Sequence, residues 1–170
     1  MATTVETLSN YIDGERLGSS AEETEPVLNP ATGEELAHAP RSTAQDVDRA
    51  VGAARRAFAG WSQATPQERS QALLAVAAVL EEHGEEIARL EALNAGKPIE
   101  AVKSDEIPVM ADNLRFFAGA ARVLEGRAAG EYLEGYTSFT RREPVGVIGQ
   151  VTPWKPSDTT EPSLCVAWHR

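Results

Sequence analysis

Residues 145–151, Val-Gly-Val-Ile-Gly-Gln-Val, constrain what this chain can fold into more than any other stretch. Val145, Val147, Ile148 and Val151 form a short β-branched run that is apolar at both odd and even positions. That pattern suits a strand covered on both faces rather than a half-exposed hairpin strand. Such a strand belongs to a parallel sheet, and parallel neighbours need crossovers of roughly a dozen residues or more, usually helical. The expected fold class is therefore α/β. Ligands of these sheets bind off the carboxyl ends of the strands, so Val151, Thr152, Pro153 and Trp154 stand where a cofactor is expected. Pro153 ends the strand, and Trp154 offers a large flat surface at its mouth.

Upstream, Asp13-Gly14 between short flanks signals a hairpin turn, and Asn29-Pro30-Ala31-Thr32-Gly33-Glu34 signals a second turn. Four amphipathic helices follow. Ser42 and Gln45 make a capping-box pair for the first, which carries Val47, Val51, Ala54, Phe58 and Trp61 on one stripe. The second opens on Thr65-Pro66-Gln67-Glu68 and buries Leu73, Val76, Ala77 and Leu80, with Gly84 as a left-handed cap after its last turn. The third, from Glu85 to about Asn94, buries Ile87, Leu90 and Leu93 and stops at Gly96-Lys97-Pro98. A fourth is expected to start near Pro108, with Met110, Leu114, Phe117, Ala121 and Leu124 facing inward and Gly126 beyond its end. Tyr136–Arg141 alternates, is β-prone and reads as a partly exposed strand.

At 170 residues the chain has the length of one domain and can bury a sizeable core. A net charge of −10 argues against a nucleic-acid partner. No apolar run approaches the roughly 18 residues of a membrane span, and residues 1–9 lack the basic and apolar parts of a signal peptide. A single Cys cannot close an internal disulfide, in keeping with a reducing cytoplasm.

Residues 142–154, Arg-Glu-Pro-Val-Gly-Val-Ile-Gly-Gln-Val-Thr-Pro-Trp, resemble the stretch that begins the nucleotide-binding domain of NAD(P)-dependent aldehyde dehydrogenases. Leu114–Gly135 is similar to the aminoaldehyde branch of that family, the gamma-aminobutyraldehyde and betaine-aldehyde dehydrogenases. Asn29-Pro30-Ala31-Thr32-Gly33 resembles a hallmark near the family's start. The resemblance runs from Asn10 to Thr160. It implies the N-terminal part of the family's fold: a β-hairpin, four amphipathic helices and an incomplete Rossmann-like parallel sheet. Residues 1–135 would then be the helical part of the nucleotide-binding domain, 136–142 an interface strand, 143–160 the start of the sheet, and 161–170 an unrelated tail. The resemblance also implies NAD as cofactor, an aldehyde such as 4-aminobutanal as substrate, and a homo-oligomer in which residues 136–142 associate.

The chain then departs from that pattern. In the family, Thr-Pro-Trp continues into an Asn that faces the developing oxyanion, then a helix, then a second buried strand. That strand ends in Lys-Pro-Ser-Glu or Lys-Pro-Ser-Asp, whose Lys and acid hold the adenosine ribose. Here Trp154 is followed at once by Lys155-Pro156-Ser157-Asp158. The resemblance makes Val151, Thr152, Pro153, Trp154, Lys155, Ser157 and Asp158 the cofactor-contacting residues. With no crossover between Trp154 and Lys155, at most one of the two half-sites can sit as it does in the family. Residues 161–170 match nothing in it, and the junction predicts an altered reading frame, a deletion or a degraded copy.

Aldehyde oxidation needs a thiolate nucleophile, oxyanion donors, a general base and a hydride acceptor. The family's nucleophilic Cys and catalytic Glu come from regions downstream of the resembled stretch. Cys165 has His169 four residues on, but Pro162 and the tail's lack of periodicity argue against a helix that would pair them, so no catalytic residue is assigned. Gly146 and Gly149 lie inside the strand at G-x-x-G spacing, which reads as close backbone packing and not as a dinucleotide fingerprint. No His, Cys and carboxylate spacing points to a metal. His38, in a loop, and His83, beside a helix end, are read as surface residues. Asp105, Glu106 and Asp112 stand ahead of Phe116-Phe117, where acids can hold the cationic end of an aminoaldehyde; for Asp105 and Glu106 the favoured reading is that they are N-terminal acids of the fourth helix. The expectation is an N-terminal fragment of an aldehyde dehydrogenase that is inactive alone. The alternatives are a non-catalytic fragment that docks on full-length subunits, or a pseudogene product.

Overall fold

Asp13 and Gly14 both take left-handed backbone angles, with φ of 58° and 83°, as a two-residue hairpin turn requires. They join β2 (Asn10–Ile12) to β3 (Glu15–Leu17) as the expected antiparallel pair. The computed structural model describes residues 5–126 and 130–151. A separate three-stranded sheet has the order β1 (Glu6–Thr7), β5 (Glu35–Pro40), β4 (Thr24–Leu28), with β1 parallel and β4 antiparallel to β5. The turn between β4 and β5 is built by Asn29. Its side-chain oxygen accepts from the Ala31 N–H at 2.9 Å and its carbonyl from the Gly33 N–H at 2.8 Å. His38 lies in β5 rather than in a loop, half-buried and 3.6 Å from Glu35.

The first helix, α1 (Ala44–Trp61), is capped one residue later than expected. Thr43 and Asp46 form the capping box, while the Ser42 hydroxyl turns away and donates to Asn10 Oδ1 at 2.9 Å. Along α1, Val47 is exposed, Val51, Ala54, Phe58 and Trp61 are half-buried, and Asp46 and Ala53 are buried. In α2 (Pro66–Glu82) the Thr65–Glu68 capping box and the Pro at the first turn stand where the sequence puts them. Ala77 and Leu80 are buried there and Leu73 and Val76 pack against them.

Only His83 separates α2 from α3 (Gly84–Ala95), so Gly84 is the buried first residue of a helix and not a left-handed cap. The left-handed residue is Gly96, with φ of 71°, at the end of α3. Ala88 of α3 is buried, whereas Leu90 and Leu93 are exposed. The helical path resumes at α4 (Ile99–Ala101), well before Pro108, and passes through a π-helical turn (Val102–Glu106) into α5 (Ile107–Ala120). The Ile107 N–H donates to the carbonyl of Val102, five residues back. The wider turn falls just ahead of Pro108, which has no N–H for the usual bond to the residue four back.

Small residues let α2 and α5 approach closely. Ala77, Leu80, Ala88, Val102, Ile107, Ala111 and Leu114 form the core, with Ile87, Ile99 and Met110 packed against it. On α5 the buried positions are thus Ile107, Ala111, Leu114 and Ala118, while Phe117 is exposed, as is Leu124 beyond the helix end. Arg115 of α5 and Glu81 of α2 close the pair on the outside with a two-pronged ion pair. Beyond the helices, β6 (Gly130–Leu133) and β7 (Tyr136–Ser138) form an exposed antiparallel hairpin; the β-prone run is a strand only as far as Ser138. Among the described residues, β1–β5 is the one parallel pairing.

Candidate functional site

The run expected to form the cofactor strand does not do so. Residues 145–151 form no strand, and Val145, Ile148 and Val151 are 96%, 77% and 99% exposed. An apolar sequence becomes a buried strand only if neighbours supply both a hydrogen-bonding ladder and two covering layers. Among the described residues no strand pairs with 145–151. Val151 is thus in solvent, and Thr152, Pro153, Trp154, Lys155, Ser157 and Asp158 lie outside the described residues, as does Cys165. A dinucleotide needs backbone donors at a helix start and an apolar cleft at the strand ends. The described residues around 145–151 offer neither, so they do not fit NAD by themselves.

The acids ahead of the phenylalanine pair are sorted by their partners. Glu106 is engaged by the Lys97 ammonium at 2.9–3.0 Å, and Glu91 of α3 takes the same ammonium at 2.9 Å. Burial pushes the Lys97 amine down, but the hydrogen bonds to Glu106 and Glu91 outweigh it and the net shift is upward. Glu106 is therefore ion-paired, and although it stands at the N-cap position of α5 its side chain makes no capping hydrogen bond. Asp105 Oδ1 accepts from the Ser104 hydroxyl at 2.9 Å and sits in the π-helical turn, so it caps nothing either. Asp112 is exposed on α5, where its charge adds to that of Glu81 in holding Arg115 protonated. Phe116 and Phe117 pack edge to face, ring centroids 5.3 Å apart, and both are exposed.

Sequence reasoning missed the Lys97 clasp, because Gly96-Lys97-Pro98 reads only as a helix stop and nothing in the spacing links Lys97 to Glu106. An open groove of about 520 Å³ runs between the β2–β3 hairpin and α1, lined by Ile12, Leu17, Asp48 and Arg49 among others and by the exposed Arg56–Asp13 ion pair at 2.6 Å. No cluster of three or more His, Cys, Asp or Glu among the described residues is placed to hold a metal ion. Nor is any described helix long and apolar enough to cross a membrane.

Comparison with known proteins supplies what the local geometry does not. The profile of the aldehyde dehydrogenase family matches residues 17–157. Malonate-semialdehyde dehydrogenase 1 of Geobacillus thermodenitrificans is 42% identical over 154 residues, which is 91% of this chain and 32% of that protein. The crystal structure of PnpE from Pseudomonas sp. WBC-3 superposes with a TM-score of 0.82 at 37% identity, covering 87% of this chain and 30% of that one. The NAD+ complex of aldehyde dehydrogenase from Bacillus cereus superposes with a TM-score of 0.77 at 36% identity, covering 82% and 29%. The chain spans less than a third of the length of the relatives it matches. The hairpin, the Asn29 turn and the helices are thus the N-terminal part of a larger fold, and the chain belongs to the aldehyde dehydrogenase family.

Proposed function

We propose that this chain is the N-terminal, scaffold-bearing portion of an NAD-dependent enzyme that oxidises an aldehyde to its carboxylate, and that these 170 residues do not catalyse that reaction by themselves. The observation that carries this reading is the match across residues 17–157, set beside coverage of less than a third of each relative. The chemistry of the residues agrees. Nucleophilic attack on an aldehyde needs a thiolate held beside oxyanion donors, and the single Cys, Cys165, follows Pro162 in an aperiodic tail, which argues against a helix that would pair it with His169. The histidines of the described part lie beside surface acids, His38 with Glu35 and His83 with Glu86. The NAD+ complex of the Bacillus cereus relative supports NAD as the cofactor of the whole enzyme.

The substrate we infer is a cationic aminoaldehyde such as 4-aminobutanal. The similarity of Leu114–Gly135 to the aminoaldehyde branch supports this. So does the position of Asp112 one helical turn before the exposed Phe116, with Asp105 upstream and Glu106 set aside by its pairing with Lys97. The test is to incubate the purified chain with NAD and 4-aminobutanal, betaine aldehyde or malonate semialdehyde, and to follow NADH. No turnover above the blank is expected. A chimera that joins residues 1–151 to the remainder of the Geobacillus relative should then turn over 4-aminobutanal, and Asp112→Asn should lower its kcat/KM roughly tenfold, the size of one lost charge pair. Turnover by the unmodified chain that disappears in Cys165→Ala would refute the inactivity. A chimera indifferent to Asp112→Asn would refute the role given to that acid.

A further inference from the structure

The inward residues from α4 to the end of α5 are unevenly spaced. Ile99, Val102, Ile107, Ala111, Leu114 and Ala118 are buried or packed on the core, at steps of three, five, four, three and four. Steps of three and four keep side chains on one face of an α-helix, whereas a step of five swings them about 140° away at roughly 100° per residue. Val102 and Ile107 are nevertheless only 1% and 7% exposed. The π-helical turn, whose bond runs from the Ile107 N–H to the Val102 carbonyl, widens the coil between them and brings both to the same side. With one residue fewer in that turn, every step would be three or four. Pro108 has no N–H to give back to the turn, and side chains hold it from outside. Lys103 at its start reaches Glu85 of α3 at 2.8 Å, and Glu106 at its end meets Lys97, which also holds Glu91 of α3. Glu85 is 77% exposed, where an ion pair contributes little. Lys97 is 16% exposed, so its pairs are the less screened.

We propose that the π-helical turn is a joint made by one surplus residue in an otherwise regular helix, and that Lys97 is the latch that keeps this joint closed against α3. The core grips the helix on both sides of the joint, at Val102 before it and at Ile107 after it, so the surplus residue stays where it is. In the middle of the turn Ser104 and Asp105 are exposed and bonded to one another. The Lys97 ammonium reaches both oxygens of Glu106 and, across the joint, Glu91. It thereby draws together two carboxylates that repel when it is absent. Loss of its charge opens the turn locally, while the α2–α5 core on either side stays packed. Lys97 is in this sense a positioning residue for the start of α5.

The test is amide hydrogen exchange of the whole chain, read residue by residue. Lys97→Met should speed exchange of the Ile107 amide at least about tenfold, the size of a lost charge-assisted hydrogen bond. The Leu80 amide in α2 should keep its rate, because the core does not open. Lys97→Arg, which keeps the charge, should leave Ile107 near its original rate. Deletion of Ser104 removes the surplus residue and leaves Lys103 beside Val102 and Glu106 beside Ile107. It is made together with Pro108→Ala, because in a regular helix the Pro108 ring would strike the Lys103 carbonyl. That chain should keep its helical circular dichroism and exchange Ile107 more slowly, and Lys97→Met should no longer alter the rate in it. In a chain with Pro108→Ala alone, Lys97→Met should still act. If Lys97→Met leaves Ile107 unchanged, or speeds Ile107 and Leu80 equally, Lys97 is no latch. If it acts equally with and without Ser104, it does not work through the joint. Loss of helical dichroism on deletion of Ser104 would show that the residue is not surplus, and would overturn the joint itself.

Discussion

Asp46 is the one buried carboxylate among the described residues, and it holds two segments together. It accepts from the Thr43 N–H at 2.9 Å and from the Ser20 N–H at 3.1 Å, with the hydroxyls of both residues also at 3.1 Å. The Thr43 backbone bond is the largest cause of a pKa lowered from 3.8 to about 2; burial opposes it, and the Ser20 bonds add to it. The folded-state pKa lies below the unfolded one, so the stabilisation is present above the ordinary carboxylate range and is lost as pH falls through about 2. Asp46→Asn should therefore lower the urea midpoint at neutral pH and flatten its fall between about pH 4 and pH 2. An acid-side slope equal to that of the unaltered chain would count against this account. The sequence could not single out Asp46. Ser42-Thr43-Ala44-Gln45-Asp46 offers two overlapping capping boxes, Ser42 with Gln45 and Thr43 with Asp46. What decides between them is Ser20, which lies 26 residues away in the chain.

At the level of elements, the two glycines that bound α3 have opposite requirements. A Cβ on Gly84 would meet Ile107 Cγ2 at 3.5 Å, ordinary contact, on a helical backbone. A Cβ on Gly96 would meet Pro30 Cγ at 2.9 Å on a left-handed backbone. Gly84→Ala should be neutral or stabilising by up to about 1 kcal/mol. Gly96→Ala should cost about 1–2 kcal/mol from its backbone angle alone, with the Pro30 contact adding to that. Urea denaturation of the two variants checks the order, and a reversed order would mean that the end of α3 is misassigned. The Gly84 expectation failed because a single residue, His83, joins two helices with no turn between them. The expected start of the last helix at Pro108 failed for a related reason. Pro is read as a first-turn residue, yet the π-helical turn lets the helical path run through it. The inward face of α5 was misread by part of a turn: Met110 and Phe117 stand roughly 60–80° round the helix from Ile107, and these large apolar residues outweighed the small Ala111 and Ala118 that are in fact buried.

For the molecule as a whole, the features set by local chemistry were legible. The Asp13-Gly14 turn, the Asn29 turn, the Thr65 capping box and the α2 stripe depend on residues within a few positions of one another. The strand at 145–151 was not, because burial belongs to a strand's neighbours and the chain carries less than a third of the relatives' length. The same holds for the cofactor residues, which need two strands side by side. The bare outer side of α5 also governs how the protein behaves in the test tube. Dyes such as ANS glow on contact with exposed apolar surface, the usual mark of a molten state. This chain should glow at room temperature while its circular dichroism still melts as a cooperative step, and Phe116→Asp should dim it without moving that step. Dye-based melting curves would then start from a high baseline and mislead, so thermal screening of this protein should be read from ellipticity.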